Sequence, residues 1–256
     1  MLKIGLIGYG KMGKKIHALC KKNQNLKVTS IIDPFNKKAN FSKITPDSIN
    51  DCDVCIEFSN PEVVVENIKK LINLNMSTVV GTTGWYDSIN EINKLVQKKN
   101  GSLIYATNFS IGVNMLFQIT NYASNLINQV SEYDVAGFES HHNMKKDIPS
   151  GTAKTLANII KDNYDTKEKI VYQPGNRKIA ENELHFTSMR LGHINGDHEI
   201  TFDSLQDQIS IKHSAKNRDG FAKGALTAAR YISENSGLIN FNDNFNEILQ
   251  EVNNGI

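Results

Sequence analysis

The sequence predicts an α/β protein in which a doubly wound parallel sheet is joined to an α+β domain with an open mixed sheet. In the first half of the chain, short continuous apolar runs alternate with segments of helical periodicity. This alternation is typical of a parallel sheet that helices cover on both faces. After about residue 109, apolar and polar residues alternate within the strand-like segments, as in sheets that bury only one face. We therefore expect two domains.

The first half contains five predicted strands with three helices between them. The helices are predicted over 11–22, after Asn60 and Pro61, and over 89–99. Asn60 and Pro61 are interpreted as a helix cap and a first-turn residue, and Ser88 with Glu91 as a capping box. The strands, in order, are LKIGLIGY, LKVTSIID, DVCIEF, STVVGTTG and SLIYATNF.

The second half begins with a helix predicted over 114–128, followed by a strand in EYDVAGFESHH and a helix from about Thr152. Three later segments, LHFTSMRL, HEITFD and QISIKHSA, are predicted to be half-buried antiparallel strands. The chain is predicted to become helical again from about residue 219, because FAKGALTAARYI places small and apolar side chains on one face.

Size and composition are those of an ordinary globular protein: 256 residues, 39% hydrophobic and 22% charged, with a net charge of +2. A balance so close to neutral gives no reason to expect a nucleic acid or a membrane surface as partner. No apolar run reaches the ~18 residues that a membrane span requires. The N-terminus runs directly into a predicted strand without a secretory pattern. We expect a cytoplasmic protein.

Cys52 and Cys55 form a C-x-x-C, a spacing found in redox-active and metal-binding sites. The surrounding DVCIEF is an apolar strand rather than a helix N-terminus, and no second cysteine pair completes a zinc site. The pattern therefore favours ordinary core cysteines.

A glycine-rich turn joins the first strand to the first helix, and its spacing is G-x-G-x-x-G. Such glycines allow a tight turn, a close approach of the backbone to a pyrophosphate, and close packing of helix on strand. The helix N-terminus then offers N–H groups to the phosphates. The turn therefore predicts a dinucleotide site in a Rossmann-like domain, and a turn without a ligand is the alternative. Its residues are Gly8, Tyr9, Gly10, Lys11, Met12 and Gly13.

Asp33 ends the second predicted strand, where a carboxylate can hold the hydroxyls of the adenosine ribose. This side chain favours NADH, because it would repel a 2′-phosphate. Lys37 and Lys38 lie close by in sequence and could accept that phosphate, so NADPH stays open.

Two further turns follow predicted strands and are expected at the same carboxyl edge of the sheet, where doubly wound folds bind ligands. The first is Gly81-Thr82-Thr83-Gly84, and the second is Asn108-Phe109-Ser110. Together with the glycine loop they form a plausible wall for a nicotinamide. Turn formation alone is the other interpretation.

The segment ESHHNMKKDIPSGTAK (139–154) concentrates groups that favour an anion. His141 and His142 are neighbours at the end of a strand, so their side chains leave on opposite faces and make a poor chelating pair. With no H-E-x-x-H or carboxylate spacing nearby, we expect no metal. Ser150 is interpreted as a helix cap, so that the N–H groups of the helix start, Thr152 and a lysine could bind a carboxylate. Solvated charges beside one helix cap are the alternative.

The quoted segment resembles the E-x-H-H-x-x-K-x-D-x-P-S-G-T-A signature of the 4-hydroxy-tetrahydrodipicolinate reductase (dihydrodipicolinate reductase) family. The resemblance extends over nearly the whole chain, since GYGKMG, GTTGW, TNFSIGVN, RLGHINGDHEITF and HSAKNRDGFAKGA occur in the family's order and spacing. It implies a dinucleotide-binding domain over 1–109 and 218–256, closed by the C-terminal helix. It also implies a domain over 110–217 that binds substrate and builds a homotetramer.

The resemblance also implies residue roles. His141 would be the proton donor and acceptor beside the ring, and Lys145 the second proton donor. The residues implied for the substrate's carboxylates are His142, Ser150, Gly151 and Thr152. Those implied for the cofactor are the loop Gly8–Gly13 for the pyrophosphate, Asp33 for the ribose, and Gly81, Thr82, Thr83, Ala106, Thr107, Asn108 and Phe109 for the nicotinamide.

The implied reaction is hydride transfer from NADH or NADPH to C4 of a cyclic dicarboxylate, with loss of the 4-hydroxyl as water. Lys11 stands where many family members have arginine, and Pro34 directly follows Asp33, so we expect NADH preference or dual use. One alternative is another two-domain NAD(P)-dependent dehydrogenase of aspartate-family metabolism, which would lack H-H-x-x-K with PSGT. A second is a dinucleotide-sensing regulator without turnover, against which the near-neutral charge counts.

Overall fold

A computed structural model describes residues 1–254 of the chain. The chain divides into two compact units: unit 1 comprises Met1–Ser110 and the described chain from Asp219, and unit 2 comprises Ile111–Arg218. Among the described residues, no helix has both the length and the apolar character needed to cross a membrane.

The first stretch of unit 1 contains β1 (Leu2–Ile7), α1 (Lys11–Cys20), β2 (Leu26–Ile32), α2 (Pro46–Ile49), β3 (Val54–Glu57), α3 (Val64–Asn73), β4 (Ser77–Val80), a 3-10 turn (Tyr86–Ser88), α4 (Ile89–Lys99) and β5 (Ser102–Tyr105). Unit 2 contains α5 (Ile111–Ile127), β6 (Asp134–His141), α6 (Gly151–Asn163), β7 (Lys169–Val171), β8 (Glu183–Arg190), β9 (Asp197–Asp203) and β10 (Gln208–Ser214). The last stretch of unit 1 adds α7 (Asp219–Glu234), β11 (Gly237–Asn240) and α8 (Phe245–Asn254).

Unit 1 is built on a six-stranded sheet in the order β11-β5-β4-β3-β1-β2, in which all neighbouring strands are parallel. The strand order reverses at β1, which has β2 on one side and β3 on the other. The crevice at the carboxyl ends of the strands at such a reversal is where doubly wound folds bind ligands. The predicted doubly wound parallel sheet is confirmed.

The buried strands of unit 1 explain the continuous apolar runs of the sequence. All four residues of β3 are buried, as expected for a strand covered by helices on both faces. Helix α3 buries Val64, Ile68, Leu71 and Ile72, which recur at helical spacing and form one apolar stripe. Burying each such side chain fully contributes about 1.5–3 kcal/mol relative to leaving it exposed.

Three details of unit 1 differ from the sequence prediction. The segment predicted to be helical to the end contains β11, a four-residue strand beside β5 that is too short to stand out in the pattern. Helix α3 begins at Val64, because the Asn60 side chain accepts the N–H of Glu62 and closes a turn before the helix. Ser88 precedes α4, but its side chain makes no capping hydrogen bond, so the predicted capping box is wrong.

Unit 2 is built on a five-stranded mixed sheet in the order β10-β9-β6-β8-β7. Strand β6 is antiparallel to β9 and parallel to β8, and β8 is parallel to β7. The predicted mixed sheet is confirmed, but the prediction that LHFTSMRL is antiparallel was wrong, since β8 is parallel to both of its neighbours. Alternation of apolar and polar residues reports burial on one face and not strand direction.

One face of the unit 2 sheet packs against α5 and α6 in an apolar core, and Gly137 on β6 makes room there for a ring. A Cβ at Gly137 would lie 2.3 Å from ring atoms of Phe186. Most alternate positions, on the other face, are half-buried or exposed, and they include His185, Thr187 and Thr201. The strand residues of the core are Val135, Leu184, Phe186, Ile200 and Phe202, and the helices add Val113, Leu116, Phe117, Ile127, Ala153, Leu156, Ala157 and Ile160.

Candidate active site

The glycine loop of unit 1 leaves an open backbone at the start of α1. Gly8 has φ +88°, and a Cβ there would lie 2.4 Å from the Phe58 carbonyl oxygen. A Cβ at Gly13 would lie 2.4 Å from the Gly8 carbonyl oxygen, so helix and loop pack too closely for any side chain. At Gly10, by contrast, no described atom lies within 4 Å of a Cβ position. Gly10 precedes α1 without a side-chain cap, so the helix N–H groups are available to a phosphate.

The carboxylate of Asp33 lies beside this loop. Its Oδ2 accepts the N–H of Tyr9 at 2.8 Å, and its Oδ1 accepts the N–H of Phe35 at 2.9 Å. Asp33 lines a cavity of about 320 Å³ together with Gly8 and Gly10. Lys43 also lines this cavity, whereas Lys37 and Lys38 are not among its lining residues. The assignment of Lys37 and Lys38 to a 2′-phosphate therefore stays a prediction.

The residues predicted to line a nicotinamide follow β4 and β5, which are neighbouring strands. Thr82 is buried, and Thr83 is exposed. The N–H of Gly81 donates to the Glu57 carbonyl at 2.9 Å, and a Cβ at Gly81 would clash with the Phe58 ring at 2.1 Å. The space at Gly81 is therefore filled by the protein itself.

The turn after β5 is held by Asn242, a residue that the sequence analysis did not single out. Its Oδ1 accepts the N–H of Thr107 at 3.2 Å, and its Nδ2 donates to the carbonyl of Asn108 at 2.9 Å. The side chains of Ala106 and Phe109 are buried. Thr107 is exposed and Asn108 is half-buried, so these two residues of the turn have solvent-accessible surface that a ligand could contact.

In unit 2, the end of β6 carries a buried acid–imidazole pair. Glu139 and His141 are two residues apart and share one face of the strand. The Nδ1 of His141 is hydrogen-bonded to Oε2 of Glu139. The other carboxylate oxygen, Oε1, accepts the guanidinium of Arg190 at 3.0 Å and the N–H of Ser150 at 3.2 Å. Glu139 is fully buried, and all its partners belong to unit 2.

The electrostatics of this cluster keep Glu139 ionised and His198 neutral. Burial raises the pKa of Glu139, but hydrogen bonds from His141 and Arg190 outweigh it and hold the pKa at about 2. His198 lies opposite Glu139 on β9, with its ring centroid 5.3 Å from that of His141. Burial, helped by the nearby His141, lowers the pKa of His198 to about 3.

These two pKa values predict that the protein loses stability as the pH falls. Between about pH 6.5 and 3 the unfolded chain protonates His198 and the folded chain does not, so the free energy of unfolding decreases as the pH falls. Glu139 lowers the free energy of unfolding further below about pH 4.5, because only the unfolded chain protonates it there. Each group adds up to ~1.4 kcal/mol per pH unit to the slope of the unfolding free energy. Urea denaturation at several pH values should show a shallower dependence for His198→Asn than for wild type. Parallel curves would contradict the burial argument.

Lys145 and His142 lie in the loop that follows β6. The ammonium of Lys145 contacts the Asp147 carboxylate at 2.8 Å, and the Asp147 carbonyl accepts a hydrogen bond from Arg190 at 2.6 Å. His142 is half-buried, and its N–H donates to the carbonyl of Ile194 at 2.8 Å. Arg190 thus ties the loop of Lys145 to the carboxylate that binds His141.

Helix α6 begins beside the same cluster. Ser150 is its cap, as predicted: the Ser150 hydroxyl accepts the N–H of Ala153 at 3.2 Å. Ser150 is buried, its own N–H is bound to Glu139, and its hydroxyl lies 3.4 Å from Nε2 of His198. Gly151 is exposed, and no described atom lies within 4 Å of a Cβ position there. The first turn of α6 is therefore open to a ligand at Gly151.

The side chains of Glu139, His141 and His198 place three possible metal-ligand atoms within 4.8 Å of one another. The sequence does not reveal this group, because His198 is distant in the chain and meets Glu139 only through the pairing of β9 with β6. The guanidinium of Arg190 at the Glu139 carboxylate disfavours a metal cation, since it already neutralises the acid. The expectation of no metal stays a prediction.

The C-x-x-C of unit 1 forms a close thiol pair. A Cβ at Gly5 would lie 2.8 Å from Cys55 Sγ and 3.1 Å from Cys52 Sγ, so the missing side chain makes room for both sulfurs. Hydrogen bonding by Cys55, together with Thr29, outweighs burial and lowers the pKa of Cys52 to about 7. Cys55 is buried with a raised pKa, and burial raises the pKa of Cys20 to about 11.

We expect iodoacetamide at neutral pH to alkylate Cys52 first, because the thiolate is the reactive form and Cys52 is the half-exposed thiol. Peptide mass spectrometry of the briefly treated native protein should find label at Cys52 and little at Cys20 or Cys55. Equal labelling of the three thiols would contradict this order.

A doubly wound unit with an open glycine loop, combined with a second unit that buries an acid–imidazole pair beside a helix N-terminus, is the architecture of two-domain dinucleotide-dependent oxidoreductases. Family models agree with this class and narrow it. The model of the N-terminus of dihydrodipicolinate reductase matches residues 2–109, and that of its C-terminus matches residues 112–245. This chain belongs to the dihydrodipicolinate reductase family.

Two relatives agree with this family, and one solved structure shares the fold. The 4-hydroxy-tetrahydrodipicolinate reductase of Christiangramia forsetii is 33% identical over 252 residues, covering 97% of this chain and all of the relative. That of Clostridium novyi is 35% identical over 256 residues, covering 95% and 98%. The dipicolinate-bound dihydrodipicolinate reductase of Paenisporosarcina sp. TG-14 matches the fold with a TM-score of 0.77 at 22% identity, covering 95% of this chain and 99% of that one.

Proposed function

We propose that this protein reduces (2S,4S)-4-hydroxy-2,3,4,5-tetrahydrodipicolinate to 2,3,4,5-tetrahydrodipicolinate, in the diaminopimelate route to L-lysine. The observation that carries the proposal is the cluster at the end of β6, where Glu139 contacts both His141 and the N–H of Ser150 at the start of α6. The relatives carry this activity in their names, and the Paenisporosarcina reductase holds dipicolinate, a cyclic dicarboxylate. A biosynthetic role of this kind favours a cytoplasmic location.

The cofactor in this proposal is NADH or NADPH, bound by unit 1. The open position at Gly10 and the uncapped start of α1 fit a pyrophosphate, and Asp33 lies where ribose hydroxyls would be held. The exposed parts of Thr83, Thr107 and Asn108 would line the nicotinamide. Lys43 in the Asp33 cavity could accept a 2′-phosphate, which favours dual use over strict NADH preference.

The bound cofactor supplies a hydride, and the chain's own groups supply the proton and hold the acid groups. Overall, substrate, NAD(P)H and one proton give product, NAD(P)⁺ and water. His141 delivers or accepts the proton through Nε2, because Nδ1 is bound to Glu139. Lys145 is the second proton donor, and its contact with Asp147 keeps the ammonium in the loop beside the cluster.

The carboxylates of the substrate are bound, in this proposal, by His142 and by the first turn of α6. Gly151 and Thr152 present backbone N–H groups at the positive end of the helix dipole. Ser150 contributes by holding this turn in place, since its hydroxyl caps the helix and its N–H binds Glu139.

The activity is tested by following oxidation of NADH, and separately of NADPH, by absorbance. The substrate is made in situ from pyruvate and aspartate semialdehyde by the preceding synthase. We expect substrate-dependent oxidation with at least one cofactor, and none when the synthase is omitted. Oxidation of neither cofactor would rule out the proposed reaction. Homoserine with NAD⁺ or NADP⁺ serves as the control for the related dehydrogenase class.

We further propose a homotetramer that assembles through the open face of the unit 2 sheet. This face carries Thr187 on β8 and Thr201 on β9, and the Thr201 hydroxyl contacts Ser210 on β10 at 3.2 Å. Thr201→Arg is expected to dissociate the assembly, because a buried unpaired charge at a self-associating face is strongly unfavourable. Light scattering after gel filtration measures the mass. A variant that keeps the wild-type mass would contradict this assembly.

A further inference from the structure

We propose that Glu139 is a positioning residue: it holds the ring of His141 by Nδ1 so that Nε2 faces the substrate, while Arg190 and Ser150 hold Glu139 in turn. This role rests on the proposed function, because it assigns the orientation of that function's proton donor. Glu139 touches neither substrate nor cofactor in this account.

The contacts of Glu139 divide cleanly between its two oxygens. Oε2 binds Nδ1 of His141, and Oε1 accepts both the Arg190 guanidinium and the Ser150 N–H. A carboxylate only accepts hydrogen bonds, so Nδ1 of His141 must carry the proton in this pair. The neutral ring then has its free lone pair on Nε2, and the protonated ring has its transferable proton there.

The surroundings of Nε2 support the same orientation. Gly196, between β8 and β9, has φ +150°, and a Cβ there would lie 2.9 Å from Nε2 of His141. Any side chain at Gly196 would therefore collide with Nε2, so the glycine keeps this position next to the ring nitrogen clear. His198 cannot replace His141 as donor, because its pKa of about 3 keeps it neutral.

Glu139→Gln separates orientation from packing, because glutamine has nearly the same shape. Its Oε1 can still accept Arg190 and Ser150, but its amide would donate to Nδ1 and force the proton of the neutral ring onto Nε2. We expect kcat to fall by ~10²-fold or more, as when the acid that orients a catalytic histidine becomes an amide. The KM for the cofactor should change little, since Glu139 belongs to unit 2 and its contacts are within that unit. Glu132→Gln, the same change at an exposed glutamate, is the matched control and should keep wild-type kcat.

A spectroscopic readout tests the contact without turnover. With ¹⁵N-labelled histidine, the imidazole shifts of the seven histidines report which nitrogen carries the proton, and His141→Asn identifies the signal of interest. In its neutral form, wild-type His141 should be protonated on Nδ1, and in Glu139→Gln on Nε2. This measurement on the wild type stands even if the variant folds poorly.

The outcomes are distinguishable. Wild-type His141 protonated on Nε2, or a folded Glu139→Gln with kcat within about threefold of wild type, would overturn the positioning role. A wild type that oxidises neither cofactor overturns the proposed function, even where the Nδ1 tautomer is found. Loss of wild-type activity on treatment with EDTA, restored by Zn²⁺, would show that Glu139, His141 and His198 bind a cation instead, and would also overturn the role.

Discussion

Replacing His141 or Lys145 by alanine is expected to lower kcat by ~10²-fold or more, because each change removes a positioned proton donor. His141 has its Nδ1 fixed by Glu139, and Lys145 is held in the adjacent loop by Asp147. Neither change touches unit 1, so the KM for NADH or NADPH should stay within a few-fold of wild type. Steady-state kinetics with both cofactors measures the two parameters separately.

The neighbouring Lys146 provides the matched control. It is exposed, and Lys146→Ala should keep wild-type kcat although it removes the same charge one residue away. His141→Ala leaves a buried carboxylate with one partner fewer, so thermal unfolding should be measured beside activity, and His141→Asn serves as a less disruptive variant. Wild-type kcat in both folded His141→Asn and Lys145→Ala would mean that the assigned roles are wrong.

Substituting Gly10 by alanine is expected to weaken cofactor binding by ~10-fold or more, a loss of about 1.4 kcal/mol, without destabilising the protein. No described atom lies near a Cβ at Gly10, and its φ of −77° is open to any residue. The added methyl would therefore occupy only the space assigned to the pyrophosphate. Isothermal titration with NADH and NADPH gives the affinity, and thermal unfolding without cofactor gives the stability.

Gly8→Ala is the contrasting variant in the same loop. It combines a left-handed backbone conformation with a Cβ 2.4 Å from a carbonyl oxygen, so it should destabilise unit 1 by ~1–3 kcal/mol or more. Unchanged affinity in Gly10→Ala, or equal loss of stability in the two variants, would contradict a phosphate-binding role for this loop.

The fold class could be predicted because each half of the chain repeats a local pattern. The glycine loop is recognisable because its residues are adjacent in sequence. Steric crowding also requires glycine at two of its positions, since a Cβ at Gly8 or Gly13 would clash with a backbone carbonyl oxygen. Ser150 could be predicted as a cap for the same reason, since a helix start is decided within four residues. Strand β11 and the direction of β8 could not, because they depend on pairing with strands distant in sequence.

Only part of the cluster around His141 could be predicted from the sequence, for the same physical reason. The spacing of Glu139 and His141 on one strand was a usable signal, since residues two apart share a face. Arg190 and His198 reach the cluster through strands β8 and β9, whose register with β6 no local pattern reveals. The thiol pair of Cys52 and Cys55 likewise depends on Gly5 in the neighbouring strand β1.

The most direct measurement of the central claim is transfer of the labelled hydride. Reduced cofactor carrying deuterium at C4 of the nicotinamide, on the face that is transferred, is incubated with the enzyme and freshly made substrate, and the product is examined by mass spectrometry and NMR. We predict tetrahydrodipicolinate that has lost the 4-hydroxyl and carries one deuterium at its C4. Tetrahydrodipicolinate without deuterium would contradict the account. Oxidation of the labelled cofactor without formation of tetrahydrodipicolinate would contradict it as well.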